Sequence, residues 1–415
     1  MSLPPGASFD DGITEDEAVA IALWNNAAFG ELLVDLDLAR ADLVQAGLLP
    51  NPEFVYFWPV GDKPLKYLLD FPIEALWLRP ARVKAAARDV DRAAERLTQA
   101  GLDLIRDARQ AFADAVLASE RKQVAEESVA LRGRIKELAE KRLAAGDISA
   151  QEAATARVDA LQATQDAARA DYDVKIAMER LRFILGTGTY RAPFVLDPGP
   201  APKPEGPTGD GDALTREALA SRPDALAAAV AVSAAEERVK LARRGWLRLL
   251  GILDATSGRA SGHEFSPAAR VTVPLFSHNQ GLVARAEAEL DRARRNRQTV
   301  TNQIVLDVER SYLQFRQAGA ELEILRSKTR PEVEAAIGRA QAAYAQGDAP
   351  IFIALETTRQ LLDSRLREAQ LNADLRRARA ELERSVGRRL DGTSAPAANG
   401  ATAAVAAMKD GRATR

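Results

Sequence analysis

The sequence predicts a mainly α-helical protein in which one long helical hairpin occurs twice. The 415 residues are rich in Ala, Leu, Arg and Glu and contain only 5% aromatic residues, a composition that favours long helices in close contact. A helical polar–apolar pattern also breaks twice at a Gly-Asp pair, in RLAAGDISAQE at 142–152 and in YAQGDAPIF at 344–352. Each break interrupts an otherwise continuous helical pattern.

Composition and the start of the chain exclude several classes of protein. A formal net charge of −2 gives no general attraction to nucleic acid, and the lack of cysteine excludes disulfides, thiolate metal sites and cysteine nucleophiles. The opening MSLPPGASFDDG has neither the basic nor the apolar region of a secretory signal, and no run of about 18 apolar residues occurs. Taken alone, these features predict a soluble cytosolic protein, although removal of a leader would leave the same sequence.

The first structural elements are a helix and two strands. Thr14 and Glu17 form a predicted capping box, and the helix that they start is expected to run to Gly47. The segments EFVYFW and KYLLDF are apolar, are bounded by prolines and flank a predicted turn at Gly61-Asp62. This pattern predicts a β-hairpin.

A long helical hairpin follows the strands. Its first helix is predicted from Pro80 to Ala145, and about 66 residues at 1.5 Å each span roughly 100 Å, far more than an ordinary globular helix. After the Gly-Asp break, Ser149 and Glu152 form a second predicted capping box, and the returning helix ends near Gly186.

The second half repeats this order. Residues 212–246 predict a helix, RLLGILDATSG and SPAARVTVPLFSHNQG predict strands joined by a RASGHEF turn, and long helices run from Gly281 to the second break and from Pro350 to Gly387. The predicted organisation is an N-terminal extension at 1–11, a first repeat at 12–188, a proline-rich linker at 189–210, a second repeat at 211–390 and a disordered tail at 391–415.

Matching landmarks fix the offset between the two repeats. The pairs are Asp107 with Asp307, Phe112 with Tyr312, Gly146 with Gly347, and Gly186 with Gly387, which lie 200, 200, 201 and 201 positions apart. A nearly constant offset over this length indicates an internal duplication.

The two Gly-Asp breaks are predicted to be the tips of antiparallel helical hairpins. Gly146 and Gly347 each end a long helix, where a left-handed residue is least costly as glycine, and the residues that follow restart a helix. An apolar stripe within the hairpin steps mostly by three and four residues, through Ile304, Val308, Tyr312, Phe315, Leu322 and Leu325. Such a stripe is typical of a helix packed against neighbouring helices.

Several local motifs, in this order, resemble one known family. They are GLLPNPEF after the first helix, FPIEALWLRPARVKAA and VPLFSHNQGLVARAEAEL at the two strand-to-helix passages, SRPDAL, and both Gly-Asp tips. Over roughly residues 12–390 the sequence is similar to the TolC-type outer-membrane efflux factors. GLLPNPEF and FPIEALWLRPARVKAA resemble the branch associated with cobalt-zinc-cadmium and copper-silver exporters.

The resemblance implies both an assembly and a function. It implies a homotrimer in which each chain gives four strands to a closed 12-stranded β-barrel in the outer membrane and its helices to a periplasmic α-helical tunnel. Closure of the barrel leaves no unpaired strand edge in lipid. The protein would be a passive conduit for solutes exported by an inner-membrane pump through a periplasmic adaptor protein.

The resemblance also implies particular functional residues. The tips, at Gly146, Asp147, Gly347 and Asp348, are expected to contact the adaptor. Acidic residues shortly after the second tip ring the narrowest point of the tunnel in this family. The matching acid here is Glu356, whereas the other acidic position is Ile353, and Glu152 of the first hairpin stands where a second acid would contribute to this gate. The alternative is that Glu356 is a solvated surface residue paired with Arg359.

Aromatic residues in and near the first strands have two interpretations. Tyr56, Phe57, Trp58 and Tyr67, with Trp24 and Trp77, either form an aromatic belt at a bilayer boundary or pack the join between strands and helices.

No catalytic or cofactor site is predicted. His263 and His278 lie in polar turn segments and are expected to be solvated loop residues rather than metal ligands. Met1, Met178 and Met408 form no cluster in the sequence that could hold soft copper or silver. No Ser-His-Asp set, nucleotide loop or paired-carboxylate site stands out, so a non-enzymatic protein without a cofactor is expected.

Two other classes of protein remain open. A periplasmic adaptor also has a long helical hairpin, but it normally has one hairpin flanked by split β-domains, so the duplication argues against it. A soluble coiled-coil scaffold without a membrane barrel is the stronger alternative. A scaffold has no need for the strand-forming segment PEFVYFWPVGDKPLKYLLDFP or for its counterpart in the second half.

Overall fold

The computed structural model describes residues 3–5, 9, 12–60, 65–190, 194–200, 203, 210–259, 262–346, 348 and 350–390. The first half contains helices α1 (Glu15–Asn25), α2 (Ala27–Gly47), α3 (Glu74–Ala144) and α4 (Ala150–Ile184), with strands β1 (Glu53–Phe57) and β2 (Leu65–Pro72) between α2 and α3. The second half contains α5 (Gly211–Ser221), α6 (Pro223–Arg244), β3 (Arg248–Arg259), β4 (Gly262–Thr272), α7 (Gln280–Ile324), a π-helical turn (Leu325–Thr329), α8 (Arg330–Gln346) and α9 (Ile351–Val386). The order of elements in the second half therefore repeats that in the first.

Several predictions fall on residues outside this description. The turn at Gly61-Asp62, the glycine Gly347 and the tail at 391–415 all lie outside the described residues, as do parts of the N-terminal extension and of the linker.

The predicted first helix is in fact two helices. Its start is confirmed, because the Thr14 amide donates to the Glu17 carboxylate at 2.9 Å and the Glu17 amide donates to the Thr14 hydroxyl at 3.3 Å. The prediction of one helix up to Gly47 is wrong, since Asn26 takes an extended backbone (ψ 118°) between α1 and α2. The Asn26 side chain accepts a hydrogen bond from the Phe29 amide at 3.1 Å and so caps α2.

The second repeat has a break in the corresponding place. Arg222 is extended between α5 and α6, with ψ 133°, and Pro223 is the first residue of α6. The residue before a proline is driven out of helical geometry, whereas proline itself fits the first helical position. The single helix predicted over 212–246 is therefore also divided.

Strands from both repeats form one antiparallel sheet in the order β1-β2-β3-β4. The predicted β-strands are confirmed, but the predicted RASGHEF turn is too long, because Arg259 belongs to β3 and residues 262–265 belong to β4. Ser257 pairs with both Leu65 and His263. Because β3 is paired with a strand on each side, the sheet continues through polar and glycine residues. From the sequence alone, these residues predict a turn.

Helix α3 begins before its predicted start. It starts at Glu74, so Pro80 lies inside the helix rather than at its first position. The end of the sheet fixes this start, because the Ile73 amide donates to the Leu249 carbonyl at 2.9 Å and the Leu249 amide donates to the Glu74 carboxylate at 3.1 Å. Because these bonds to the sheet hold Ile73 and Glu74 in place, the helix begins at Glu74, before Pro80.

The first long helix of the second repeat is interrupted. The prediction of one continuous helix from Gly281 to the second tip is wrong, because a π-helical turn separates α7 from α8. The Arg330 amide donates to the carbonyl of Leu325, five residues back. Pro331, the second residue of α8, follows directly. A proline has no amide hydrogen and its ring clashes with the carbonyl four residues before it, so it favours distortion of the preceding turn.

The chain forms two compact units, and each contains parts of both repeats. One unit consists of Met1–Gly30, Ala100–Ala218 and Val305–Arg415, and the other of Glu31–Gln99 and Leu219–Ile304. Fully buried side chains of the first unit include Ile21, Phe112, Leu181, Leu322, Leu375 and Leu382. The second unit has an alanine-rich core that includes Ala81, Ala85, Ala227, Ala228, Ala234 and Ala235. The predicted apolar stripe is buried at Ile304, Val308, Phe315, Leu322 and Leu325, and half-buried at Tyr312.

Among the described residues, no single helix is both long and apolar enough to cross a membrane, and α1 with α2 meets that requirement only as a bent pair.

Candidate functional site

The first hairpin tip has the predicted geometry. Gly146 has φ +80°, and the amides after α3 bond back to the last turn, with Gly146 donating to the Leu143 carbonyl at 3.0 Å and Asp147 to the Arg142 carbonyl at 2.9 Å. This is the pattern of a helix that ends at a left-handed residue. The Ser149 capping box then starts α4.

The second tip has a similar backbone bond. The Asp348 amide donates to the Ala343 carbonyl at 2.9 Å, five residues back, as Asp147 does in the first tip. Pro350 caps α9 without a side-chain hydrogen bond. The two tips are therefore alike in how the first helix ends and different in how the second begins.

The ends of the two hairpins pack against each other. Ala139, Ala156, Tyr344 and Ala354 form a buried cluster, with Ile135, Leu138, Ile148 and Leu355 packed against it. The Arg142 guanidinium lies 5.2 Å from the centre of the Tyr344 ring, within the range of a cation–π contact. Sequence analysis missed Tyr344 and Arg142. The position of Tyr344, three residues before Gly347 in an otherwise alanine-rich segment, was the available signal.

The predicted interfacial aromatics lie on the sheet. Tyr56 and Tyr67 are paired across β1 and β2, with ring centres 5.2 Å apart, and the Trp58 ring meets Tyr56 edge-on at 4.8 Å. Phe57, half exposed, points to the opposite face, as strand alternation requires. Trp24 lies in α1 and Trp77 in α3, so neither belongs to the sheet.

Comparison with known proteins adds to this geometry. The sequence profile of the family described as Outer membrane efflux protein matches residues 69–187 and 214–388, more than half of the chain. The chain belongs to this family. The match includes most of both long hairpins, whose tips and sheet are described above.

Individual relatives of this outer membrane efflux protein are similar along nearly its whole length. The cobalt-zinc-cadmium resistance protein CzcC of Cupriavidus metallidurans is 24% identical over 389 residues, which cover 91% of this chain and 90% of that protein. A membrane protein from Pseudomonas aeruginosa has a TM-score of 0.76 at 20% identity, over 90% of this chain and 93% of that chain. The CmeC outer membrane channel of Campylobacter jejuni has a TM-score of 0.74 at 15% identity, over 97% and 94% of the two chains.

Membership of the family settles the class of function. The protein is an outer-membrane efflux channel that extends into the periplasm and is not an enzyme, as predicted. The predicted fold class, with duplicated helical hairpins and four strands per chain, is confirmed. Members of the family form trimers and work with periplasmic adaptors and inner-membrane pumps. The scaffold and adaptor alternatives are therefore set aside.

The candidate gate acid Glu356 is paired in this outer membrane efflux protein. Arg359 donates to its carboxylate from Nε at 3.1 Å and from Nη2 at 3.0 Å, and Gln360 donates at 3.3 Å. The hydrogen bond from Arg359 is the main reason that the pKa of Glu356 lies below its ordinary value. The negative charge of this carboxylate is partly offset by its neighbour Arg359, which is 60% exposed.

The second candidate acid, Glu152, forms the cap of α4. Its carboxylate accepts from the Ser149 amide at 2.8 Å and from the Ser149 hydroxyl at 3.0 Å, and these bonds lower its pKa. The capping box predicted from the sequence is thus present. Glu356 is hydrogen-bonded by the oppositely charged Arg359, whereas Glu152 is held mainly by Ser149, with the charge of Arg142 a smaller influence, so the two candidates differ in electrostatic environment although both follow a tip.

The two histidines lie in different segments of the chain. His278 is exposed in the segment before α7, where its amide donates to Gln280 at 2.6 Å, and His263 lies in β4 rather than in the predicted turn. In the described part of the chain, no group of three or more His, Cys, Asp or Glu side chains is arranged to hold a metal ion.

The first compact unit also contains a buried ionic cluster that was not predicted from the sequence. The Arg109 guanidinium, 7% exposed, contacts the buried Glu383 carboxylate and lies 3.5 Å from Glu15 and 3.6 Å from Asp16. Burial raises the pKa of Glu15, and the positive charges of Arg109 and Arg376 oppose that effect. The cluster ties α1, α3 and α9 together.

Proposed function

We propose that this outer membrane efflux protein is the exit conduit of an exporter for divalent heavy-metal cations. The observation that carries the proposal is the similarity to the cobalt-zinc-cadmium resistance protein over 91% of this chain and 90% of that protein. A likeness that spans both hairpins and the sheet supports a shared kind of export system rather than one shared module. In this proposal the pump selects the cation and the present chain conducts it.

Three copies are proposed to close a 12-stranded barrel with the outer-membrane lipid around it. In one chain, β1 and β4 are at the two ends of the sheet, and an unpaired strand edge is not tolerated in lipid. One face of the sheet is apolar, with a depression lined by Phe54, Tyr67, Leu69, Leu253, Ala255, Thr256 and Phe265. Tyr56, Trp58 and Tyr67, which lie together on that face, are then proposed to lie at the interface between lipid and water, whereas Phe57, the fourth predicted aromatic, is on the opposite face.

The hairpin tips are proposed to dock on the periplasmic adaptor. Asp147 and Asp348 are exposed, and Phe352 and Ile353 at the start of α9 are 70% and 42% exposed. An apolar patch beside acidic residues suits a partner surface that combines apolar and basic side chains. Gly146, with positive φ, sets the direction of the first tip, and Gly347, which lies outside the described residues, is proposed as an adaptor contact from its sequence position alone.

The candidate gate is proposed to favour cations. Three copies of Glu356 around one axis would attract cations and repel anions within a Debye length of about 8 Å. The Glu152 carboxylates follow the first tip as Glu356 follows the second, and they are proposed to add negative charge at a similar height. A negative constriction is compatible with a divalent cation as cargo.

The cargo is tested by deleting the gene and measuring cellular zinc, cobalt and cadmium by mass spectrometry during metal challenge. We expect the three metals to accumulate in the deletion strain and to return to parental levels when the gene is restored. Efflux of an uncharged organic dye, measured in the same cells, is the control and should not change. Parental metal content in the deletion strain, with loss of dye efflux, would contradict the proposed cargo while leaving the channel class intact.

Docking of the tips is tested by charge reversal. The double variant Asp147→Arg and Asp348→Arg should reduce metal export more than it reduces the yield of trimer. Asp166→Arg is the matched control, because Asp166 is an exposed acid of α4 away from the tip, and it should leave both quantities unchanged. Equal losses of export and of trimer in the double variant would restrict the tips to a structural role.

A further inference from the structure

The π-helical turn at Leu325–Thr329 distinguishes the second hairpin from the first. In the first hairpin all residues of α3 are described, and they form a continuous α-helix from Glu74 to Ala144. A π-helical turn takes one more residue than the α-helical turn that it replaces, and such turns are rare and concentrate at functional sites.

Before this turn, the buried positions of the two hairpins coincide at an offset of 200 residues. Both members of each pair are buried: Ala108 with Val308, Ala111 with Ser311, Ala115 with Phe315, and Ala118 with Ala318. Four successive coincidences, spaced by three and four residues, define the same buried face in both helices.

After the turn, the buried positions coincide at an offset of 201 residues. The buried pairs are now Ala139 with Ala340, Ala153 with Ala354, Ala170 with Leu371, Leu181 with Leu382, and Leu185 with Val386. At an offset of 200, Ala139 would instead match Arg339, which is exposed. The second hairpin therefore contains one additional residue between Ala318 and Ala340, the interval that holds the π-helical turn.

One additional residue in a regular α-helix has a large consequence. It rotates every later side chain by about 100° and advances it by about 1.5 Å, which would turn Ala340 out of its buried position and Tyr344 out of the buried cluster at the tips. The geometry points to a register device: the π-helical turn absorbs the additional residue and keeps the tip of the second hairpin aligned with that of the first.

Polar contacts hold the turn against α9. The Arg326 Nε atom lies 3.1 Å from a carboxylate oxygen of Glu368, and its Nη2 atom donates to Asn372 at 2.8 Å. Arg330 donates to the other Glu368 oxygen at 3.3 Å. Glu368 is 19% exposed, whereas the position 201 residues earlier is Ala167, which cannot form an ion pair. These contacts fix the position of the π-helical turn along α9. At the equivalent position the first repeat has Ala167, and its helix α3 has no π-helical turn to hold in place.

Pro331 provides a competing explanation for the turn. Its ring and missing amide hydrogen favour a widened turn before it. The two explanations differ once the proline is replaced. If the additional residue causes the turn, Pro331→Ala retains it and Ala340 stays buried. If the proline causes the turn, the variant helix becomes regular and Ala340 rotates out of the core.

Because the chain has no cysteine, a single introduced thiol can report burial through its reaction with a maleimide. The thiol of Ala340→Cys reports the second hairpin, and that of Ala139→Cys reports the first. Each is combined with removal of one exposed residue on the far side from the tip, Lys328 in the π-helical turn or Ala130 in α3. The Lys328 deletion also carries Pro331→Ala, since a proline would clash inside the regular helix that the deletion creates.

We expect the thiol at position 340 to remain as protected as in the parent in Pro331→Ala alone and in Pro331→Ala with Lys328 deleted. In contrast, deletion of Ala130 should abolish protection of the thiol at position 139, because α3 has no additional residue to lose. Protection lost in Pro331→Ala alone would assign the turn to the proline. Failure of the Lys328 deletion to fold, or protection that survives the Ala130 deletion, would also overturn the proposal.

A second measurement tests the contacts that hold the turn. Glu368→Gln should speed hydrogen exchange of the amides at 325–330 in the parent chain. The same substitution should have no such effect in the chain that lacks Lys328, where the π-helical turn no longer exists. Equal acceleration in both chains would mean that Glu368 supports the helix pair in general and does not fix the turn.

Discussion

Replacement of Gly186 by alanine should destabilise this protein far more than the same replacement of Gly146. Both glycines end a helix of the first hairpin with positive φ, at +68° and +80°. They differ in what a Cβ atom would meet. At Gly186 it would lie 2.5 Å from the carbonyl carbon of Asn25 and 2.9 Å from the amide nitrogen of Asn26, whereas at Gly146 no heavy atom lies within 4 Å.

The magnitudes follow from these two environments. Left-handed geometry costs an alanine about 1–2 kcal/mol, and the smaller entropy of the unfolded chain returns about 0.4–1 kcal/mol. Gly146→Ala should therefore lower the free energy of unfolding by roughly 0–1.5 kcal/mol. Gly186→Ala bears the same cost and also forces apart the backbone at the break between α1 and α2, and overpacking of this kind adds about 1–3 kcal/mol or more.

The two variants can be compared by denaturant unfolding, with Trp24 of α1 close to the perturbed break as a fluorescent probe. Gly146→Ala is the matched control because it shares the φ and lacks the overlap. We expect a clearly lower midpoint for Gly186→Ala with an unchanged slope, which would show a loss of stability without a change in compactness. Equal midpoints would refute the claim that contact with Asn25 and Asn26 dominates.

Three further predictions concern charged groups. Glu383→Gln deprives the buried Arg109 of its nearest carboxylate, and the loss of unfolding free energy should approach the about 3–5 kcal/mol known for broken buried pairs. Glu217→Gln, in a more exposed pair, should cost below about 1 kcal/mol, and similar losses for both would contradict this ranking. Burial raises the pKa of Glu15 from 4.5, so its contribution to stability is complete below that value and is lost as pH rises through the raised pKa. Stability measured against pH should therefore decline less in Glu15→Gln, and an unchanged curve would exclude Glu15 as a source of the decline. Glu356→Gln should weaken cation selectivity of reconstituted channels, measured as reversal potentials in a salt gradient, whereas Glu289→Gln, in an exposed helical pair, should not. Unchanged potentials in both Glu356→Gln and Glu152→Gln would remove these acids from the gate.

Features set by neighbouring residues could be predicted from the sequence. The capping boxes of α1 and α4 and the positive φ of Gly146 depend on atoms no more than about one helical turn away. Features that depend on distant partners could not be predicted. The extended β3 relies on Leu65 of β2, and the start of α3 relies on Leu249. The π-helical turn had two sequence signals, Pro331 and the change of offset from 200 to 201, but its contacts with Glu368 appear only in the folded chain.

The candidate site divides in the same way. The tips were predicted from the Gly-Asp breaks, their contact with the adaptor and the gate acids come from the family resemblance, and Glu152 was recognised as a cap from its spacing to Ser149. One sequence signal was available for Tyr344, its position in an alanine-rich segment, but this signal did not predict its burial, which depends on alanines of the other hairpin, including Ala139 and Ala156. Because alanine is so common in this sequence, its presence at one position predicts little about packing. Only the structure shows that alanines leave space for the Tyr344 ring.

The contacts of Arg384 have an evolutionary consequence. Its guanidinium bonds to Asp103 of the first half at 2.7 Å and to Asp307 of the second at 2.9 Å, within a unit built from both halves. A chain with only the second half would lack Asp103, so an ancestor that preceded the duplication would have needed a second copy of itself to supply this contact. Fusion of two copies replaced that encounter with a peptide link. It also freed the halves to diverge: the position 201 residues before Arg384 is Phe183, whose side chain is 75% exposed.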